Sequence, residues 1–124
     1  TTLWASPFSL IEQPELHLHP KAQCEIADAF IAATKKDTQS IIETHSEYVI
    51  LRLLRRIKET SAGYLLNENL KLNKEEMRIY YFDPDPEGFK TRIKEIRIDK
   101  QGELLNSWPG GFFSEREKEL FSDE

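Results

Sequence analysis

The chain has 124 residues, 39% of them apolar and 31% charged, a balance that suits one globular domain with a modest core. Seventeen basic residues against 22 acidic ones leave a net charge of -5, which argues against a generally basic nucleic-acid binder. No apolar run approaches the roughly 18 residues of a membrane span, and the single cysteine, Cys24, excludes an intrachain disulfide and a cysteine-built zinc site. With no secretory pattern at the N-terminus, a cytoplasmic protein is expected.

In chain order, Phe8-Ser9-Leu10-Ile11 is a short apolar run closed by Gln13-Pro14 and predicts a buried strand. Pro20 opens a helix whose apolar positions, Ile26, Ala27, Phe30, Ile31 and Ala33, fall on one face. Gln39 to Glu43 predicts a second strand. Thr44 followed by Glu47 fits a capping box for a second helix, with Val49, Ile50, Leu53, Leu54 and Ile57 as its apolar stripe. Arg52, Arg55, Arg56 and Lys58 make its C-terminal half basic, which favours the helix dipole. Strand, helix, strand, helix at these lengths predicts a parallel βαβα unit with a right-handed crossover.

Beyond it, residues 61–76 are polar and predict an irregular connection. Met77 to Phe82 and Phe89 to Asp99 predict two strands of a hairpin around Asp83-Pro84-Asp85-Pro86-Glu87-Gly88, a turn that no helix could cross. The inward pattern slips between Ile93 and the Ile96/Ile98 pair, so a bulge is expected near Lys94-Glu95. Trp108-Pro109-Gly110-Gly111-Phe112-Phe113 reads as an aromatic turn, with a short helix after it from Ser114, capped by Glu117, to about Phe121.

The polar residues cluster where the two parallel strands should end. Ligands of open α/β sheets bind beyond the carboxyl ends of the strands. Adjacent strands end about 4.8 Å apart, so Glu12, Gln13, Glu15, Glu43 and His45 should share one rim. A metal or an attacking water could be held there. A mixed metal site of His17, His19 and His45 with Glu12, Glu15 or Glu43, as in a metallohydrolase, is one alternative. A non-catalytic interaction module, binding through the hairpin, the basic helix end or the aromatic turn, is another.

The string Ile11-Glu12-Gln13-Pro14-Glu15-Leu16-His17-Leu18-His19-Pro20, with Ile41-Ile42-Glu43-Thr44-His45-Ser46-Glu47 one helix later, resembles the second half of an ABC-type P-loop ATPase domain of the RecF, SMC and OLD-like branch. The stretch from Gly102 to Phe113 resembles a C-terminal extension found in an uncharacterised subgroup of these AAA-annotated ATPases. The resemblance implies an α/β, partial P-loop NTPase fold: a Walker B to switch-histidine part over residues 1–60, and a β-hairpin extension with a short C-terminal helix over 61–124, packed on the same sheet. It implies ATP and magnesium as ligands. Glu12 then holds the metal, Gln13 stands where the family has the glutamate that polarises the attacking water, and His45 is the switch histidine beside the γ-phosphate. Ser46 joins Glu12, Gln13 and His45 around the nucleotide, and Glu15 could substitute as base, because an amide orients water but takes its proton poorly. Pro14 to Pro20 corresponds to the D-loop, which in the family lies against a partner subunit and implies a homodimer. DNA is a partner of many relatives. None of the five glycines belongs to a G-x-x-x-x-G-K-[ST] loop, so the phosphate loop is expected on a missing N-terminal half and the chain is not expected to hydrolyse ATP alone.

Overall fold

The computed structural model describes residues 8–84, 87–88 and 90–106. Strand β1 (Phe8–Glu12) leads through helix α1 (Pro20–Thr34) to strand β2 (Gln39–Glu43) and helix α2 (Glu47–Ala62). The two strands pair in parallel, from Phe8 against Gln39 to Glu12 against Glu43. The expected βαβα unit is present, with the α/β class of the whole. The aromatic turn, the helix from Ser114 and the residues before Phe8 lie outside the described residues.

Period-2 alternation gives the parallel sheet one covered and one open face. Ile11 and Ile42 are half-buried on the face toward the helices, whereas Leu10 and Ile41, register partners on the other face, are 66% and 49% exposed. The core lies between the helices. Ile31 of α1 packs with Ile50, Leu54 and Ile57 of α2, and Leu72 and Ile98 close the cluster. The stripe expected along α2 is thus its buried face, with Val49 also buried and Leu53 partly so.

Helix α2 ends because Gly63 adopts φ 77°, a left-handed conformation that costs glycine little. The amides of Gly63 and Tyr64 then donate to the carbonyls of Thr60 (3.2 Å) and Glu59 (3.0 Å), a Schellman termination. Two 3-10 turns, Glu68–Leu70 and Lys74–Glu76, organise the connection from α2 to the hairpin. The Thr60 hydroxyl donates to the Arg56 carbonyl (2.6 Å) and accepts from the Leu72 amide (2.9 Å), which seats Leu72 on the core.

Half of the basic residues expected as a surface patch are spent inside the fold. Arg52 donates to Asp28 of α1 at 2.8 Å, and Arg56 grips both oxygens of the same carboxylate at 2.9 Å while also reaching Glu59. The helices are therefore joined by a charge clamp beside their apolar contact. A bidentate guanidinium–carboxylate pair is among the stronger polar contacts available.

Strands β3 (Ile79–Pro84) and β4 (Thr91–Ile96) form the antiparallel hairpin. Their register runs unbroken from Ile79 opposite Ile96 to Pro84 opposite Thr91, so the bulge expected near Lys94-Glu95 is absent. Ile93 has no need to face inward: it lies opposite Phe82 on an open face, and both are 61% exposed. The second strand also stops earlier than expected. Ile98 is reached by an isolated bridge to Leu104 across a turn in which Asp99 accepts from the amides of Gln101 (2.8 Å) and Glu103 (3.0 Å).

The hairpin forms its own two-stranded sheet, separate in hydrogen bonding from β1 and β2. Its continuation seats on α2 instead, because Gly102 (φ 78°) brings the turn so close that a Cβ would strike the Leu54 carbonyl oxygen. Ile98, Ile79 and Leu104 consequently share the cluster of Leu54 and Ile57.

Burial by itself pushes the Asp28 carboxyl up, but the hydrogen-bonded Arg56 and the neighbouring Arg52 hold it below the ordinary value of 3.8. A depressed folded-state pKa means that the clamp's contribution is complete above 3.8 and is lost as pH falls through the lowered value. Asp28→Asn should cost about 1–2 kcal/mol at neutral pH. In urea titrations the gap between wild type and variant should narrow below about pH 4; a gap independent of pH would refute the clamp.

Candidate functional site at the strand ends

The rim begins where β1 stops. Gln13 takes φ 45°, uncommon for a residue with a Cβ, and turns the chain out of the strand before Pro14. Two bonds hold this conformation: the Gln13 amide donates to the Glu43 carbonyl at 2.7 Å, and the Leu16 amide donates to the Gln13 carbonyl at 3.2 Å. The last rung of the parallel ladder therefore carries Gln13 at the mouth of both strands. Non-glycine residues in this region are costly enough, at about 1–3 kcal/mol, to occur often at functional positions.

Glu12 and Glu43 stand side by side as register partners, both exposed, and neither forms an ion pair among the described residues. Like charges placed directly opposite in a sheet disfavour the pairing. Their oxygens are hard donors of the kind magnesium prefers.

Glu15 behaves differently. It is only 9% exposed, and both of its carboxylate oxygens are taken. Oε1 accepts from the Thr44 hydroxyl at 2.8 Å and Oε2 from the His45 amide at 3.0 Å. The exit of β1 is thereby tied to the corner after β2. His45 itself is exposed and borders a shallow open depression of about 360 Å³, with Glu15, Gln23, Ser46, Glu47 and Tyr48.

The cap of α2 is Ser46, not Thr44. The Ser46 hydroxyl accepts from the Val49 amide at 3.2 Å and donates to Gln23 Oε1. Thr44 is occupied one step earlier, accepting from the Ser46 amide at 3.0 Å while donating to Glu15. These two bonds, one local and one to distant Glu15, occupy Thr44 in place of the capping box read from Thr44 and Glu47. Ser46, expected beside a nucleotide, spends its hydroxyl on Gln23 and Val49.

The structure accordingly brings Glu12, Gln13 and Glu43 together at the strand ends, and Glu15, His45 and Ser46 in the adjoining network. His17 (φ 65°) and His19 are exposed on the loop before α1, and among the described residues no three His, Cys, Asp or Glu side chains stand where they could hold a metal ion. The mixed His/carboxylate alternative has no cluster to rest on there. Gln23 escaped sequence reasoning, although it lies in the first turn of α1, one turn beyond His19, where that helix meets the rim.

Residues 5–50 match the family model of an AAA ATPase domain. Residues 72–122 match a second family model, described as a protein of unknown function (DUF3696). No curated protein and no solved structure matches the chain. The first match contains the whole rim, and the second spans the hairpin and the C-terminal residues beyond it. No helix among the described residues is long and apolar enough to cross a membrane.

Removal of the α2 cap by Ser46→Ala should lower stability by about 1 kcal/mol and loosen the first turn of the helix, read by thermal unfolding and amide exchange at Val49. Equal stability of Ser46→Ala and wild type would return the cap to Thr44.

Proposed function

We propose, from the match of residues 5–50 to the model of an AAA ATPase domain, that the rim is the magnesium- and water-handling side of an ATP-hydrolysing site. The observation that carries the proposal is the parallel register, which sets Glu12 beside Glu43 with Gln13 bonded across the strand mouth. In this reading Glu12 holds magnesium, whose bound charge would offset that of the phosphates. Gln13, Glu12 and His45 surround the nucleotide's phosphate end. Gln13 orients the attacking water through its side-chain amide, a task that an amide can perform where phosphoryl transfer needs positioning more than proton abstraction. His45 donates a hydrogen bond to phosphate oxygen, which stabilises charge as it develops there.

The donor set fits magnesium but not bare triphosphate. Glu12, Glu15 and Glu43 are acidic, and among the described residues no lysine or arginine lines the rim and its depression. Repulsion of this kind requires cationic help from another segment, and a phosphate loop with its lysine and backbone amides is that help in this reading. The partners proposed are therefore a phosphate-loop element and a second copy of the full ATPase, meeting along the Pro14–Pro20 loop, in a cytoplasmic setting. That loop presents Leu16, His17, Leu18 and His19 to solvent.

Calorimetric titration with ATP tests the proposal. Residues 1–124 should bind ATP weakly and only with magnesium present. Glu12→Gln should weaken that binding by about tenfold, and hydrolysis by the chain alone should stay at background. Binding that is unaffected by EDTA, or robust hydrolysis without another polypeptide, would overturn it.

A further inference from the structure

A closed circuit of hydrogen bonds underlies the rim. The Thr44 hydroxyl donates to Glu15, the Ser46 amide to Thr44, and the Ser46 hydroxyl to Gln23 Oε1. Gln23 Nε2 then donates to the Leu18 carbonyl at 2.9 Å, and the Leu18 amide returns to the Glu15 carbonyl at 3.1 Å. Three separate pieces of chain meet in this ring: the loop after β1, the first turn of α1 and the corner between β2 and α2. The only ionisable side chain within the circuit is Glu15, and a second branch from its carboxylate reaches the His45 amide.

A carboxylate taken out of water and satisfied by one hydroxyl and one amide, with no ion-pair partner among the described residues, is a costly way to achieve stability alone. It is well suited to fixing geometry, since a carboxylate accepts at both oxygens and an amide or hydroxyl in its place cannot. Each oxygen already accepts one hydrogen bond, from the Thr44 hydroxyl and from the His45 amide.

We propose that Glu15 is the positioning residue of the rim: its buried carboxylate locks the His45 corner to the exit of β1 and so holds His45 at a set place relative to Glu12 and Gln13. It acts through His45 and is not the base that replaces the family's glutamate at Gln13. This role rests on the nucleotide reading of the rim. Orienting partners of this kind commonly carry about 10- to 100-fold of the affinity or activity of the group they hold.

The test uses residues 1–124 labelled for NMR, as wild type, Glu15→Gln and Thr44→Val. In Glu15→Gln one oxygen can still accept, but the new NH₂ faces a second donor. Exchange of the His45 amide without nucleotide should quicken by about tenfold or more, while the amides of Ile31 and Ile57 in the core stay protected. On addition of Mg·ATP, the response of the His45 imidazole should need about tenfold more nucleotide than in wild type, while the Glu12 amide still responds to magnesium. Thr44→Val, which removes one of the two donors, should fall between the two and carries the same comparison if Glu15→Gln does not fold. A His45 response in the variants equal to wild type overturns this role alone. Wild-type Glu12 and His45 both unmoved by Mg·ATP overturn the nucleotide reading, and this role with it.

Discussion

Parallel pairing obliges adjacent strands to end together, and the rim of this protein depends on that constraint. Because Phe8 lies against Gln39, four residues later Glu12 must lie against Glu43. Gln13 then meets the Glu43 carbonyl, and the chain leaves the sheet through a left-handed step. A slip of one residue in either strand would turn that strand's glutamate, Glu12 or Glu43, toward the helices and put Ile11 or Ile42 on the open face. Ile11 and Ile42, half-buried on the helix side, are the residues that this register turns inward.

Packing explains why the rim is rigid on one side and open on the other. The helix pair is closed by apolar contact and by Arg52 and Arg56 on Asp28, and the hairpin extension fastens to α2 through Ile98 and the close approach at Gly102. The corner that carries His45 is fixed from that rigid side, through Ser46 at the head of α2 and Glu15 in the loop. On the opposite face Leu10 and Ile41 remain in water. Parallel sheets are ordinarily covered on both faces, whereas among the described residues this face, with Leu10, Ile41, Glu12 and Glu43, is open.

Much of this was legible in the residues. The boundaries of β2, the start of α1 at Pro20 and the α2 stripe are set by period and punctuation, because each is decided within a few positions of chain. The hairpin was legible from its two apolar runs, but its register was not: Ile93 reads as a core residue until Phe82 is seen opposite it on an open face, and Asp83 and Pro84, expected in the turn, extend β3. Thr44 reads as a cap because its partner three residues on is a glutamate, and nothing local reveals that Glu15, 29 residues away, claims its hydroxyl. At the rim, the residue types announced themselves as Glu12, Gln13, Glu15 and His45, whereas the division between exposed Glu12 and buried Glu15 is a tertiary fact.

In the proposed function the mouth of the parallel strands holds the magnesium of a nucleotide. Manganese, a paramagnetic substitute with the same preference for oxygen, offers the most direct measurement. With ATP present, trace Mn²⁺ should broaden the amide signals of Glu12, Gln13 and Glu43 first and leave the hairpin amides of β3 and β4 sharp. Broadening spread evenly over the acidic surface, or centred on the hairpin, would contradict it.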